Sequence, residues 1–252
     1  MIELHNVCAG YHGIEVLHHI NLTIEKGKIT VFVGPNGCGK STLLKALTRF
    51  NPHFSGKILV NGMEIEQYSS IKLAREIAYL TQSRTVPEIT VLKMVLHGRF
   101  PYLSYPRRYR KEDLEKAREA LRWAEIEELA EKSMSSLSGG TRQKVYIAMA
   151  IAQDTPVILM DEPTSFLDIS HQLRLMEVAR ELAREGKAVV LVLHDLSLAM
   201  RTADVLVVMK EGRILQTGSP KQVYQSGVLQ EAFDVQVMQV DTEYGAQYFF
   251  VS

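Results

Sequence analysis

The sequence predicts an α/β fold: a largely parallel sheet with helices on its faces, antiparallel hairpins ahead of it, and a helical subdomain inserted along the way. Three observations carry this expectation. First, the apolar run "KITVFVG" leads into the glycine-rich stretch "GPNGCGKST", and helix formers follow in "KSTLLKALTRF". Second, from Pro156 onward "PVILMD", a helix over about Ser170 to Glu185, and "AVVLVLHD" alternate strand with helix, the pattern of parallel strands joined by crossover helices. Third, from about Val91 to Gln153 the texture is helical instead.

The first element is a run of short strands from Ile2 to about Gln82: Ile20, Leu22 and Ile24 alternate with polar residues, and Asn61-Gly62 sits between two strand-like runs in "KILVNGMEI" as a hairpin turn. The run "KITVFVG" is a buried strand that delivers the chain into the glycine loop. In "RKEDLEKAREALRWAEIEELAEK", Leu114, Ala117, Ala120, Leu121 and Ala124 recur at helical spacing among charges, which predicts one apolar and one solvated face. The stretch "VLVVMKEGRILQTG" is hairpin-like at Glu211-Gly212. This divides a single domain of residues 1–252 into a core of 1–83 and 156–252 and a helical subdomain of 84–155. Solenoid repeats and low-complexity segments are absent from the sequence.

Composition narrows the function. With 252 residues, 46% apolar and 23% charged, the chain can bury a sizeable core. Lys+Arg and Asp+Glu both number 29, so net charge provides no general attraction to nucleic acid or anionic lipid. Cys8 and Cys38 are far apart, and a disulfide at Cys38 would restrict the glycine loop, so reduced thiols are expected. The amino terminus lacks the basic-then-apolar pattern of an export signal, and the longest apolar runs are far shorter than the ~20 residues of a membrane span. Any membrane role is expected to come through a partner.

The residues with chemistry begin at Gly34, Gly37 and Gly39, which let backbone N–H groups approach phosphate oxygens. Lys40 adds a cation for the outer phosphates and Ser41 a hydroxyl for Mg²⁺. "VILMDEP" then ends a buried run in Asp161, a carboxylate at the sheet's carboxyl edge suited to Mg²⁺, with Glu162 next to it placed to polarise a water. His194 closes "VVLVLHD" at the same edge. Gln82, at the junction with the helical region, reads either as a surface amide or as a ligand for Mg²⁺ or the attacking water. On the residues alone Tyr11 is a core aromatic, and Arg107, Arg108, Arg110 and Lys111 are a solvated basic face without a site role. A second glycine loop, Ser138-Gly139-Gly140 at the start of an expected helix, also converges N–H groups, yet no Lys-Ser/Thr pair follows it. The residues alone leave open what this second loop serves.

Taken in order, these motifs resemble the ATP-binding subunits of ABC transporters over essentially the whole chain. "GYHG" matches the aromatic loop, "GPNGCGKST" the Walker A loop, Gln82 the Q-loop, "LSGGT" the family signature, "VILMDEP" Walker B with its glutamate, "SFLD" the D-loop, and His194 the switch histidine. The resemblance implies a P-loop NTPase with a RecA-like core, an antiparallel β subdomain and an inserted helical subdomain, using ATP and Mg²⁺. It implies ATP binding by Tyr11, Gly34, Pro35, Asn36, Gly37, Cys38, Gly39, Lys40, Ser41 and Thr42. Catalysis falls to Glu162, His194, Gln82 and Lys40, and metal binding to Ser41, Gln82 and Asp161. It further implies a head-to-tail dimer of two copies in which Ser138, Gly139, Gly140 and Thr141 face the partner's ATP, with Asp168 of the D-loop across the interface. Two departures stand out: Thr141 replaces the usual Gln, which puts the rate in question, and "SFLD" replaces the commoner "SALD". The stretch "VLKMVLHGRFPYL" resembles the segment that contacts membrane subunits in importers of iron–siderophore complexes, haem and cobalamin. The implied partners are a permease and, indirectly, an extracytoplasmic binding protein, with the chain peripheral on the cytoplasmic face of a bacterial membrane and no direct nucleic-acid contact. The alternatives are a nucleotide-gated clamp on nucleic acid and a cassette of another import or export class.

Overall fold

The computed structural model describes residues 1–50, 54–81, 86–243 and 245–251. The strands β1 (Ile2–Tyr11) and β2 (Ile14–Ile24) form an antiparallel pair. The buried strand β3 (Ile29–Val33) then feeds the glycine loop and α1 (Lys40–Leu47). Next, β4 (Phe54–Val60) turns into β5 (Met63–Glu64) through Asn61 at φ 50° and Gly62 at φ 81°, the left-handed pair that an Asn-Gly hairpin requires. These strands make a four-stranded sheet in the order β2-β1-β4-β5, the antiparallel subdomain.

The remaining elements are α2 (Ser70–Glu76), β6 (Ile77–Leu80), α3 (Val91–Leu96), α4 (Lys111–Trp123), α5 (Gly139–Ala152), β7 (Val157–Asp161), α6 (Ile169–Arg184), β8 (Ala188–Val192), α7 (Leu196–Thr202), β9 (Val205–Lys210), β10 (Arg213–Gly218), α8 (Pro220–Ser226), α9 (Val228–Phe233), β11 (Gln236–Thr242) and β12 (Gly245–Val251). A six-stranded sheet runs β10-β9-β3-β8-β7-β6, parallel throughout except for the β9-β10 hairpin, and β11 pairs with β12 alone. Helices cover both faces of this sheet, so every residue of β3, β7 and β8 is buried, each large aliphatic one worth roughly 1.5–3 kcal/mol. Phe32 and Asp161 both stand level with Val192 in the strand register, so the chain leaves β3, β7 and β8 at one edge. That edge carries the site.

Three features depart from the sequence reading. The stretch before Gln82 is not all strand: α2 forms where the Ser69 hydroxyl accepts the Lys72 N–H at 3.3 Å. The apolar stripe of α4 is rotated, with Leu114 38% exposed and Asp113 buried alongside Ala117, Ala120 and Leu121. The cause lies elsewhere in the chain: the buried Arg99 guanidinium meets Asp113 at 3.0 Å and donates to the Ala152 carbonyl at 3.1 Å, while the other Asp113 oxygen accepts the Arg110 N–H at 2.9 Å. A paired and fully bonded carboxylate can be buried where an unpaired one cannot. The helical texture after Trp123 also breaks, at Glu125 with φ 55°, leaving only a short turn at Glu127–Leu129. Beyond β10 the chain adds α8, α9 and the β11-β12 hairpin, elements that the sequence analysis does not predict. Cys8 and Cys38 are both buried and free.

Candidate nucleotide site

The glycine loop leaves β3 through a gap that admits no side chain. A Cβ at Gly34 would stand 2.2 Å from the Met209 carbonyl oxygen and 2.6 Å from the Cys38 sulfur. Gly39 then enters α1 at φ 103°, a conformation open to glycine, and offers no side chain to cap the helix. By contrast, α2, α3, α5, α6, α7 and α8 each have a Ser, Thr or Asp side chain accepting a first-turn N–H. The first N–H groups of α1 therefore face outward with the positive end of the helix dipole, no acidic residue lies in the first turn, and an anion is the complementary ligand.

Lys40, 6% exposed, lies back against its own loop, donating to the carbonyls of Gly34 at 2.7 Å and Pro35 at 2.9 Å and lying 3.6 Å from the Cys38 sulfur. At the end of β7, Asp161 is 2% exposed and one of its oxygens, Oδ1, is buried without a hydrogen-bond partner. Its Oδ2 accepts the Tyr79 hydroxyl at 3.4 Å. Burial pushes the Asp161 carboxyl above the ordinary 3.8, and the neighbouring Glu162 adds to the rise, against the Ser41 and Tyr79 hydroxyls and Lys45. Glu162 comes next at φ 50°, a left-handed backbone that turns its side chain to His194, whose Nε2 stands 2.6 Å from Glu162 Oε1. Asn36, Gly37, Gly39, Lys40, Ser41, Thr42, Glu162 and His194 line one cleft of about 460 Å³.

Not every expected residue lies there. Gly34, Pro35, Cys38 and Asp161 lie close to its lining residues in sequence but do not line it themselves, and neither do Ser138, Gly139, Gly140, Thr141, Asp168 and Tyr11. Gln82 lies outside the described residues. Tyr11 is half-buried beneath Lys45, whose Nζ is 5.8 Å from the ring centre. Ser138 caps α5 by accepting the Thr141 N–H at 3.2 Å, and the Thr141 hydroxyl bonds the Ser138 hydroxyl at 2.9 Å, so the unusual threonine reinforces the helix start. Asp168 caps α6: the His171 N–H, the Ser170 hydroxyl and the His171 ring hold its carboxyl down at about 2. Two residues near the site escaped the sequence reading. Tyr79 lies on a strand whose alternation gives no hint of a partner, and the buried Gln143 amide donates to the Pro163 carbonyl at 2.9 Å. The only sequence signal for Gln143 was its place one helical turn after Gly140.

A bare helix start for phosphate, with acidic residues at the same sheet edge on β7, one strand removed from β3, is how P-loop nucleoside triphosphatases are built. Comparison with known proteins refines that class. The chain belongs to the ABC transporter family, whose profile matches residues 17–165. A probable siderophore transport system ATP-binding protein of Bacillus subtilis (strain 168) is 41% identical over 236 residues, 93% of this chain and 86% of that protein. The ferric enterobactin transport ATP-binding protein of Escherichia coli (strain K12) is 41% identical over 234 residues, 92% and 86% of the two chains. Among solved structures, a dimeric bacterial ABC transporter cassette superposes with a TM-score of 0.78 at 30% identity, covering 87% of this chain and 99% of that one. The chain is thus an ATP-binding and ATP-hydrolysing subunit of an ABC transporter.

Proposed function

We propose that this chain energises the import of iron–siderophore complexes, or of haem or cobalamin within the same importer class, by hydrolysing ATP beneath a separate membrane permease. The observation that carries the reading is the cleft itself: a phosphate-binding helix start faces a Glu162–His194 pair held at 2.6 Å. The names of the siderophore and enterobactin relatives support the cargo class. In this reading the N–H groups of the glycine loop and Lys40 hold the β- and γ-phosphates, Tyr11 stacks on the base, Glu162 takes a proton from the attacking water, and His194 orients Glu162 and the γ-phosphate. Gln82 is assigned to the same water and metal by the resemblance alone.

In this reading the signature residues, which do not line the chain's own cleft, complete the site of another chain. A second copy placed head to tail brings Ser138 to Thr141 and the α5 dipole to the γ-phosphate, and Asp168 to the interface, as an arginine finger does in other NTPases. The dimeric cassette among the structural relatives supports this arrangement. Among the described residues no helix is long and apolar enough to cross a membrane, so coupling to transport needs a docking surface. A groove of about 480 Å³ between Phe50 and Leu73 on one side and His97 and Phe100 on the other fits a permease helix, with Phe50 70% and Phe100 45% exposed. Such docking places the chain peripherally at the cytoplasmic face of the membrane, with an extracytoplasmic binding protein acting through the permease. Purification of the tagged chain from membranes is expected to bring down a permease, with ATP turnover insensitive to DNA. DNA-stimulated turnover and no membrane partner would point to a clamp on nucleic acid instead.

The residues fit Mg²⁺ brought in with the nucleotide. The unpartnered Asp161 Oδ1 and the Ser41 hydroxyl would hold it, and Mg²⁺ characteristically combines one or two carboxylates with substrate phosphates rather than a protein cage. Among the described residues no group of three or more His, Cys, Asp or Glu is arranged for a metal. Bound there, Mg²⁺ supplies positive charge to the phosphate oxygens. The chain's own side of the fit can be tested without turnover. Because burial raises the Asp161 pKa in the fold, the folded protein keeps a proton the unfolded one releases, so this group's contribution to stability falls as pH rises from 3.8 through the raised value. Asp161→Asn removes that cost. Its thermal midpoint without metal is expected above wild type at neutral pH, while Mg²⁺ with ATP no longer raises it further; a persisting Mg²⁺-dependent rise would discard Asp161 as the ligand.

His194→Ala gives an independent check on the chemistry. Turnover is expected to fall with ATP affinity nearly unchanged. An affinity collapse with normal turnover per bound site would assign His194 to binding instead.

A further inference from the structure

We propose that Gln143 is a positioning residue that locks the signature end of α5 to the turn carrying Glu162, so that engagement of the partner's ATP sets the geometry of the chain's own glutamate. This rests on the head-to-tail reading above and names the residue that joins its two half-sites. The observations are independent of one another. Gln143 is buried and its amide donates to the Pro163 carbonyl at 2.9 Å, fixing the Pro163–Thr164 peptide, one residue beyond Glu162. One turn earlier on the same helix face, a Cβ on Gly140 would come 2.9 Å from the Phe166 carbonyl oxygen, so the first turn of α5 lies directly on that backbone.

The segment underneath is strained. Glu162 at φ 50° and Phe166 at φ 67° are left-handed non-glycine residues in one turn, which persists only where its surroundings hold it. Its internal bonds are two of 3.2 Å, Ser165 N–H to the Glu162 carbonyl and Leu167 N–H to the Thr164 carbonyl. The Gln143 amide adds a side-chain bond from α5 to it. The turn then continues into α6 through Gln172, which donates to the Leu167 carbonyl at 2.9 Å. A displacement of Ser138 to Thr141 against a partner's γ-phosphate thus passes through Gln143 to the Pro163 peptide and shifts the Glu162 side chain against His194. A buried amide with one defined acceptor transmits such a shift; an aliphatic residue of similar size fills the space without the bond.

The test uses the full chain and its ATP turnover at increasing ATP. Gln143→Leu is expected to lose kcat by roughly ten- to a hundredfold, as for a displaced catalytic group, with half-saturating ATP changed less than twofold and any sigmoid rise flattened. Gln143→Glu supplies the readout that a packing role would not move. A buried glutamic acid can donate to Pro163 only when protonated, so its activity relative to wild type is expected to climb as pH falls from 8 towards 6. Wild-type kcat in Gln143→Leu, a loss explained by its unfolded fraction, or a pH profile for Gln143→Glu parallel to wild type each overturns the proposal. An inactive or never-dimeric wild-type chain would instead overturn the reading on which it rests.

Discussion

Glu162→Gln is expected to keep ATP binding close to wild type and to lose turnover by roughly 10²- to 10⁴-fold, the scale of a positioned general base. The substitution is nearly isosteric, so the left-handed backbone at φ 50° and the packing of the turn persist. The amide can still bond His194, 2.6 Å away in the native pair, but it cannot accept a proton from water. Phosphate release measured beside a fluorescent-nucleotide titration separates the two quantities. Unchanged turnover would remove Glu162 from the role of base.

Lys40→Met is expected to fail one step earlier, at binding. The native ammonium is already desolvated, held by the Gly34 and Pro35 carbonyls at 2.7 and 2.9 Å, and exchanging those for phosphate oxygens replaces neutral acceptors with charged ones. A charge-assisted bond of that kind is worth about 1.5–3 kcal/mol, so ATP affinity should drop roughly ten- to a hundredfold, measured by titration calorimetry. The thermal midpoint of the nucleotide-free protein should move much less. Native affinity in this variant would mean that the helix start alone holds the phosphates.

Those two residues were legible because their signals are local. A buried strand, a glycine loop and helix formers occupy consecutive positions, and so do an apolar strand and its terminal acids. His194 needed one more step, the expectation that two parallel strands end at one edge, which the level pairing of Asp161 with Val192 bears out as geometry. What stayed hidden depends on contacts remote in sequence. Apolar counting placed Leu114 inside α4 because it could not know that Arg99 would neutralise Asp113. Gln143 has no signal of its own in the sequence, because its acceptor is a backbone carbonyl, which carries no residue-type signature. Helix formers run past Trp123, but Glu125 leaves helical geometry and pairs with Arg174 of α6 at 3.0 Å.

The central claim is that one chain holds two halves of different sites, the Gly34 to Thr42 loop for its own ATP and the Ser138 to Thr141 loop for its partner's. Light scattering on ATP-loaded Glu162→Gln, with and without a second substitution Gly139→Asp, tests it most directly. An ATP-dependent dimer is expected for the single variant and a monomer for the double variant, with monomer ATP affinity equal in the two, because the added carboxylate repels only the partner's γ-phosphate. Equal dimerisation of both variants, or loss of ATP binding by the isolated double-variant monomer, would contradict it.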